Sequence, residues 1–247
     1  MIRNDGGWLF LSHSEKDVAL VRDVRDRLED HGFQPITFFL KCLTDNDELD
    51  VLIRREIEAR KWFLLIDSPN SRDSHWVREE CAHARSLPGK KIFVLDSETD
   101  WITQLEDFMF RTRIYLSHSP LDAEAAAAIL DRFAENDYDI VNEISVFPQN
   151  PVSVFDFPAW RRMKNRDRIF LALVTQNYLD DPRCMEELSC VPESCHRCAV
   201  VVVGDPVMSA QDSWHLNNVI HRFYTEALTE GTPDALLSFV ETQLDEK

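Results

Sequence analysis

The chain has 247 residues, 44% of them hydrophobic, and a formal net charge of -17. That is enough apolar material for one large or two small domains with real cores, and the acidic balance argues against sequence-independent nucleic-acid binding and against an anionic membrane surface, both of which rest on clustered Lys and Arg. No apolar run reaches transmembrane length, no signal-peptide core opens the sequence, and six cysteines in a chain this long do not make a disulfide framework, so the expectation is a cytoplasmic protein with no membrane and no nucleic-acid partner.

Trp8 to Leu11 is a short apolar strand ending in Ser12-His13-Ser14, where Ser14 with Asp17 resembles a capping box. Val21, Val24 and Leu28 follow at helical spacing, with Gly32 as the stop. Phe33 to Leu40 reads as a second strand that runs on into a loop, Thr44 to Glu48 as an acidic surface loop, and Leu49, Ile53 and Ile57 mark a second helix. Phe63 to Ile66 is too short and too apolar for anything but a buried strand, and Asp67 to Ser71 reads as a turn. In the next helix Val77, Cys81 and Ala84 form an inner stripe, while Trp76 and Glu80 sit one turn apart on a neighbouring face. An indole beside a carboxylate, just past the C-terminal end of a buried strand, lies where an open α/β sheet keeps its ligand site. Pro88-Gly89 breaks the chain, Ile92 to Leu95 is another strand, and Trp101 to Phe110 a closing helix.

The pattern then restarts. Leu116-Ser117-His118-Ser119 echoes Leu11-Ser12-His13-Ser14, with Asp122 again three residues beyond the last serine. Ile129, Leu130 and Phe133 line a helix, Val152 to Phe157 is an apolar loop before a short helix around Trp160, and Ile169 to Val174 and Ala199 to Val203 are buried strands. The segment from Trp214 to Leu244 reads as mostly helical. Ser12 to Ser117 spans 105 residues and Glu80 to Glu187 spans 107, so distant landmarks keep nearly one offset. This is the signature of an internal duplication, with domains over 1–111 and 112–247, each an α/β unit whose parallel sheet is flanked by helices.

The motif Ser74-His75-Trp76-Val77-Arg78-Glu79-Glu80, after a strand ending in Leu-Ser-His-Ser, resembles the Toll/interleukin-1 receptor (TIR) domain, and in particular the short TIR domains of bacterial antiphage defence. The second half matches more thinly: Cys184, Glu187 and Leu188 fall in register, but Arg183 stands where the Trp belongs. The resemblance implies two tandem flavodoxin-like TIR domains, the first catalytic and the second divergent and structural. It implies cleavage of NAD+ at the nicotinamide–ribose bond, as a glycohydrolase or ADP-ribosyl cyclase that makes a nucleotide signal or depletes NAD+. Glu80 is then the catalytic residue and Glu187 its second-domain equivalent. Implied partners are NAD+ as substrate with no cofactor besides, the chain itself or other TIR domains, and a downstream effector sensing the product. A non-enzymatic TIR scaffold and a nucleoside ribosyltransferase are the alternatives.

Chemistry assigns the remaining candidates. Ser12, His13 and Ser14 end the first strand where a ribose or phosphate would sit, Trp76 offers a ring for stacking, and Lys41 is a phosphate contact from the loop after the second strand. Each has a plainer reading: Glu80 beside Glu79 as a solvated pair, Trp76 as packing, and His13, His118 and the Ser/Asp pairs as loop and capping residues. The second half holds one CxxC, Cys195 to Cys198, but Cys184 and Cys190 are poorly spaced to complete a zinc site, so buried or free thiols and no metal are expected.

Overall fold

The computed structural model describes residues 7–38, 46–140, 169–189 and 198–243. The chain divides into two compact units, residues 1–109 with 134–139 and residues 110–133 with 140–247. The elements up to Arg111 are β1 (Trp8–Ser12), a 3-10 turn (Glu15–Asp17), α1 (Val18–Asp30), β2 (Gln34–Ile36), α2 (Asn46–Ala59), β3 (Trp62–Asp67), α3 (Pro69–Asp73), α4 (His75–Ser86), β4 (Lys91–Asp96) and α5 (Trp101–Arg111). The strands lie in the order β2-β1-β3-β4, all parallel, so β1 and β3 are central.

The apolar run of β3 is explained by that place: Phe63, Leu64 and Ile66 are wholly buried, because helices cover both faces of a central parallel strand. Phe10, Phe63 and Leu65 point to one face, where they meet Leu49, Ile53 and Ile57 of α2 and Val77, Cys81 and Ala84 of α4. The rings of Phe10 and Phe63 stack at 5.5 Å. Phe93 on β4 packs instead against Phe108 of α5, at 5.4 Å. Helix α1 ends where Gly32 takes a φ of +88°, while Phe33 N–H bonds Leu28 O and Gly32 N–H bonds Glu29 O, both at 2.9 Å. That pair of bonds satisfies carbonyls that the helix end would otherwise orphan.

The later elements are β5 (Arg113–Ser117), a 3-10 turn (Pro120–Asp122), α6 (Ala123–Ala134), β6 (Asp139–Ile140), β7 (Ile169–Val174), α7 (Gln176–Asp180), α8 (Pro182–Ser189), β8 (Cys198–Val203), α9 (Ala210–Asn218), β9 (His221–Thr225) and α10 (Thr232–Gln243). Their sheet has the order β6-β5-β7-β8-β9, which repeats the order of the first sheet and adds one strand. The registers of β5 with β7, β7 with β8 and β8 with β9 are parallel.

Four local expectations are corrected. The segment after Trp214 contains the strand β9, because His221–Thr225 adds to the open edge of β8. The described second strand is Gln34–Ile36, shorter than Phe33 to Leu40. Asp67 to Ser71 is not a bare turn, since Pro69–Asp73 forms a short helix capped reciprocally by Ser68 and Ser71. Ser14 and Asp17 do not close a capping box: the Ser14 hydroxyl accepts from Lys16 N–H at 3.3 Å, and the Asp17 carboxylate is used elsewhere. The expected loop at Val152 to Phe157 and helix at Trp160 lie outside the described residues. Among those described, no helix is long and apolar enough to cross a membrane.

Candidate active site

Parallel strands in the order β2-β1-β3-β4 have a switch point between β1 and β3, where the crossovers leave in opposite directions and open a crevice at the carboxyl ends. Ser12 is the last residue of β1. Its hydroxyl donates to Glu80 Oε2 at 2.5 Å, joining residues 68 positions apart. Glu80 belongs to the buried stripe of α4, with Val77, Cys81 and Ala84, and is 9% exposed. Its neighbour Glu79 points outward and faces Arg54 at 3.6 Å across the surface. One residue along a helix is a rotation of about 100°, enough here to separate a solvated carboxylate from a buried one. The expected stripe of Trp76 and Glu80 is therefore revised, since Glu80 shares the inner face with Val77.

Serines start the helices that set this geometry. Ser68 caps α3, and Ser74 caps α4 by accepting from Val77 N–H at 3.4 Å. Asp17 ties the loop after β1 to that region. Its carboxylate accepts from Ser68 Oγ at 2.5 Å and from Asn70 Nδ2 at 2.6 Å. The end of β1, which carries Ser12, is thus fastened to the end of β3, which leads into α4.

His13 and Ser14 are buried next to Ser12, at 6% and 3% exposure. His13 Nδ1 lies 3.3 Å from the carbonyl oxygen of Ser14. Trp76 stands half-buried one turn before Glu80, its ring 6.3 Å from that of His75. Lys41 lies outside the described residues.

The second unit repeats the pattern and alters it. Glu187 on α8 is 8% exposed and accepts from Ser117 Oγ at 2.5 Å. Its other oxygen accepts from Tyr115 OH at 3.1 Å, and Tyr178 OH lies 3.0 Å from Ser117 Oγ. Asp122 accepts from Thr175 Oγ1 at 2.5 Å and Asn177 Nδ2 at 2.8 Å, matching the bonds of Asp17. Arg183, in the place of Trp76, is exposed and paired with Asp181 at 2.8 Å. Neither tyrosine nor either aspartate carboxylate was singled out for these contacts by sequence reasoning. The available signal was a tyrosine inside the otherwise aliphatic run of β5.

Among the described residues, the thiols of Cys81 and Cys184 are buried and outside any disulfide. Cys198 departs from the expected thiols, because it is disulfide-bonded. Cys190 and Cys195 lie outside the described residues. Burial pushes the Cys81 thiol from 9.0 up to about 11, aided by the Glu80 charge and opposed by Arg85. The neutral form is thus favoured by folding, so this contribution to stability is present below pH 9 and lost as pH rises towards 11. Thermal denaturation followed from pH 8 to 11 is expected to show a steeper alkaline loss in the native chain than in Cys81→Ala.

Residues 9–111 match the family described as TIR domain. Over this segment the chain is similar to TIR domains. The segment covers about two fifths of the chain and holds Ser12, Trp76 and Glu80. Within it, the chain is similar to the protein named "Putative cyclic ADP-D-ribose synthase TIR2" of Cytobacillus dafuensis, 28% identical over 97 residues, which are 36% of this chain and 24% of that protein. The match thus spans about a quarter of that relative's length. No solved structure matches the chain. The match spans β1 through α5, and the sheet of the second unit follows it.

Proposed function

We propose that the TIR domain cleaves NAD+ at the bond between nicotinamide and ribose, with Glu80 as the catalytic carboxylate. The observation that carries this reading is the burial of Glu80 at the carboxyl end of β1, held there by the Ser12 hydroxyl. Cleaving this bond generates positive charge on the ribose, as in other glycoside hydrolyses. Nicotinamide leaves as a neutral molecule from a cationic ring, so no general acid and no cofactor is required. A single carboxylate, fixed in place and screened from bulk water, stabilises the developing cation and accepts bonds from the ribose hydroxyls. Trp76, half-buried near the start of α4, offers a stacking face for one of the substrate's rings. Ser12 becomes a positioning residue in this reading, because its hydroxyl is spent on Glu80.

The name of the relative directs the search for products towards cyclic as well as linear ADP-ribose. Self-association of TIR domains and an effector that senses the product in antiphage defence belong to the same reading. The experiment is incubation of the whole chain with NAD+ and resolution of products by liquid chromatography and mass spectrometry. Nicotinamide released one-for-one with an ADP-ribose species is the expected result. No release at high protein concentration overturns the reading and leaves a scaffold. Ser12→Ala is expected to lower kcat by roughly 10- to 100-fold, since a hydrogen bond to a charged group is worth about 1.5–3 kcal/mol, with KM little changed. A rise in KM at constant kcat would return Ser12 to substrate binding.

A further inference from the structure

The two carboxylates sit in corresponding places but in different company. The correspondence is set by bonds as well as by sequence: Ser12 with Glu80 and Ser117 with Glu187, Asp17 with Ser68 and Asn70, and Asp122 with Thr175 and Asn177. Carried along β1 and β5, it pairs Tyr115 with Phe10. Carried along the segments after β3 and β7, it pairs Tyr178 with Ser71. In the first unit these positions are a phenyl ring, with no hydroxyl, and a serine that caps α3. In the second unit they are two wholly buried tyrosines, Tyr115 bonded to the carboxylate and Tyr178 to the serine that bonds it.

We infer that Glu187 is a closed structural anchor, sealed by Tyr115 and Tyr178, so that each chain has one ribosyl site and not two. This rests on the reading of Glu80 given above. One Glu187 oxygen takes the Ser117 hydroxyl and the other takes the Tyr115 hydroxyl, while Tyr178 completes the cluster through Ser117. A ribose diol would have to displace these donors, and each displaced tyrosine hydroxyl would lose its partner in a dry interior. Burial holds the Tyr178 phenol well above its usual range, so it stays protonated and remains a donor at working pH. The position of Trp76 is taken by Arg183, which is turned to Asp181 at the surface. Among the described residues, the second unit thus keeps the carboxylate, surrounds it with hydroxyls and carries Arg183 where the first carries Trp76.

The test combines binding, turnover and stability on the full chain. Calorimetric titration with the carbocyclic analogue of NAD+, which lacks the cleavable glycosidic bond, is expected to saturate at one per chain. Glu187→Gln is expected to release nicotinamide within about twofold of the native rate. Its Tm should fall by about 3–8 °C, as a hydroxyl network built around a charge loses its match. Tyr178→Phe, which keeps the ring and removes only the hydroxyl, should give a smaller fall and the native rate. Two analogues bound per chain, or a tenfold loss of release in Glu187→Gln at unchanged Tm, overturns the inference. If the native chain releases no nicotinamide, the reading of Glu80 fails by itself. The anchor is then decided by Tm: a fall in Glu187→Gln supports it and an unchanged value overturns it. Should Glu187→Gln not fold, the analogue stoichiometry of the native chain decides.

Discussion

Glu80→Gln is expected to lower nicotinamide release from NAD+ by about 10³-fold while the protein stays folded. A carboxylate about 4 Å from a developing cation contributes roughly 4 kcal/mol at an effective dielectric near 20, and that energy corresponds to about 10³ in rate. The substitution is a narrow one. Glutamine keeps the length of the side chain and an oxygen that accepts the Ser12 hydroxyl, while the charge is removed and the second acceptor oxygen becomes an amide donor. Stability should hold or rise, because a charge confined at 9% exposure carries a desolvation cost. Mass-spectrometric rates on matched, folded samples check the result. Release retained within tenfold would mean that the charge at Glu80 does not stabilise the transition state, and the scaffold reading would gain.

Asp17→Ala is expected to destabilise the chain by roughly 2–3 kcal/mol, the largest stability effect we expect from a residue in this region. Its carboxylate accepts two hydrogen bonds from partners 51 and 53 residues away. Bonds to a charged acceptor are worth about 1.5–3 kcal/mol each, and partial exposure lowers the sum. Ser68 and Asn70 would also be left without that acceptor at the start of α3. Thermal denaturation of Asp17→Ala, Ser68→Ala and the double variant measures the coupling, with a value near 1 kcal/mol or more expected. Additive losses would show that Asp17 and Ser68 act independently. Activity should fall with stability, because the same clamp holds the end of β1 against the segment leading to α4.

Much of this architecture is visible along the chain. The buried strands Phe63 to Ile66 and Ile169 to Val174 are recognised from their length and apolar character, since both requirements are local to a central parallel strand. Strand β9 is not recognised, because His221–Thr225 is mixed in polarity and owes its conformation to pairing with β8. At the candidate site, Ser12 and Glu80 each stand out by motif, yet their bond is a property of folding. The capping reading of Ser14 with Asp17 fails for the same kind of reason: a serine three residues from an aspartate has a local use, and here the aspartate has a distant one. Lys41 is a case where the described structure offers no placement.

The amino-acid sequence alone determined the alternation of strands and helices and the near-constant offset between Ser12 and Ser117 and between Glu80 and Glu187. These are matters of spacing and of side-chain solubility, carried by neighbours in the chain. Only the tertiary structure decided the company each carboxylate keeps. Glu80 meets a serine 68 residues away, and Glu187 meets a serine and, on its other oxygen, a tyrosine buried in β5. Two glutamates in similar motifs are thereby given different surroundings. The reason is that burial and hydrogen-bond partnership depend on which elements pack together, and no local pattern records that.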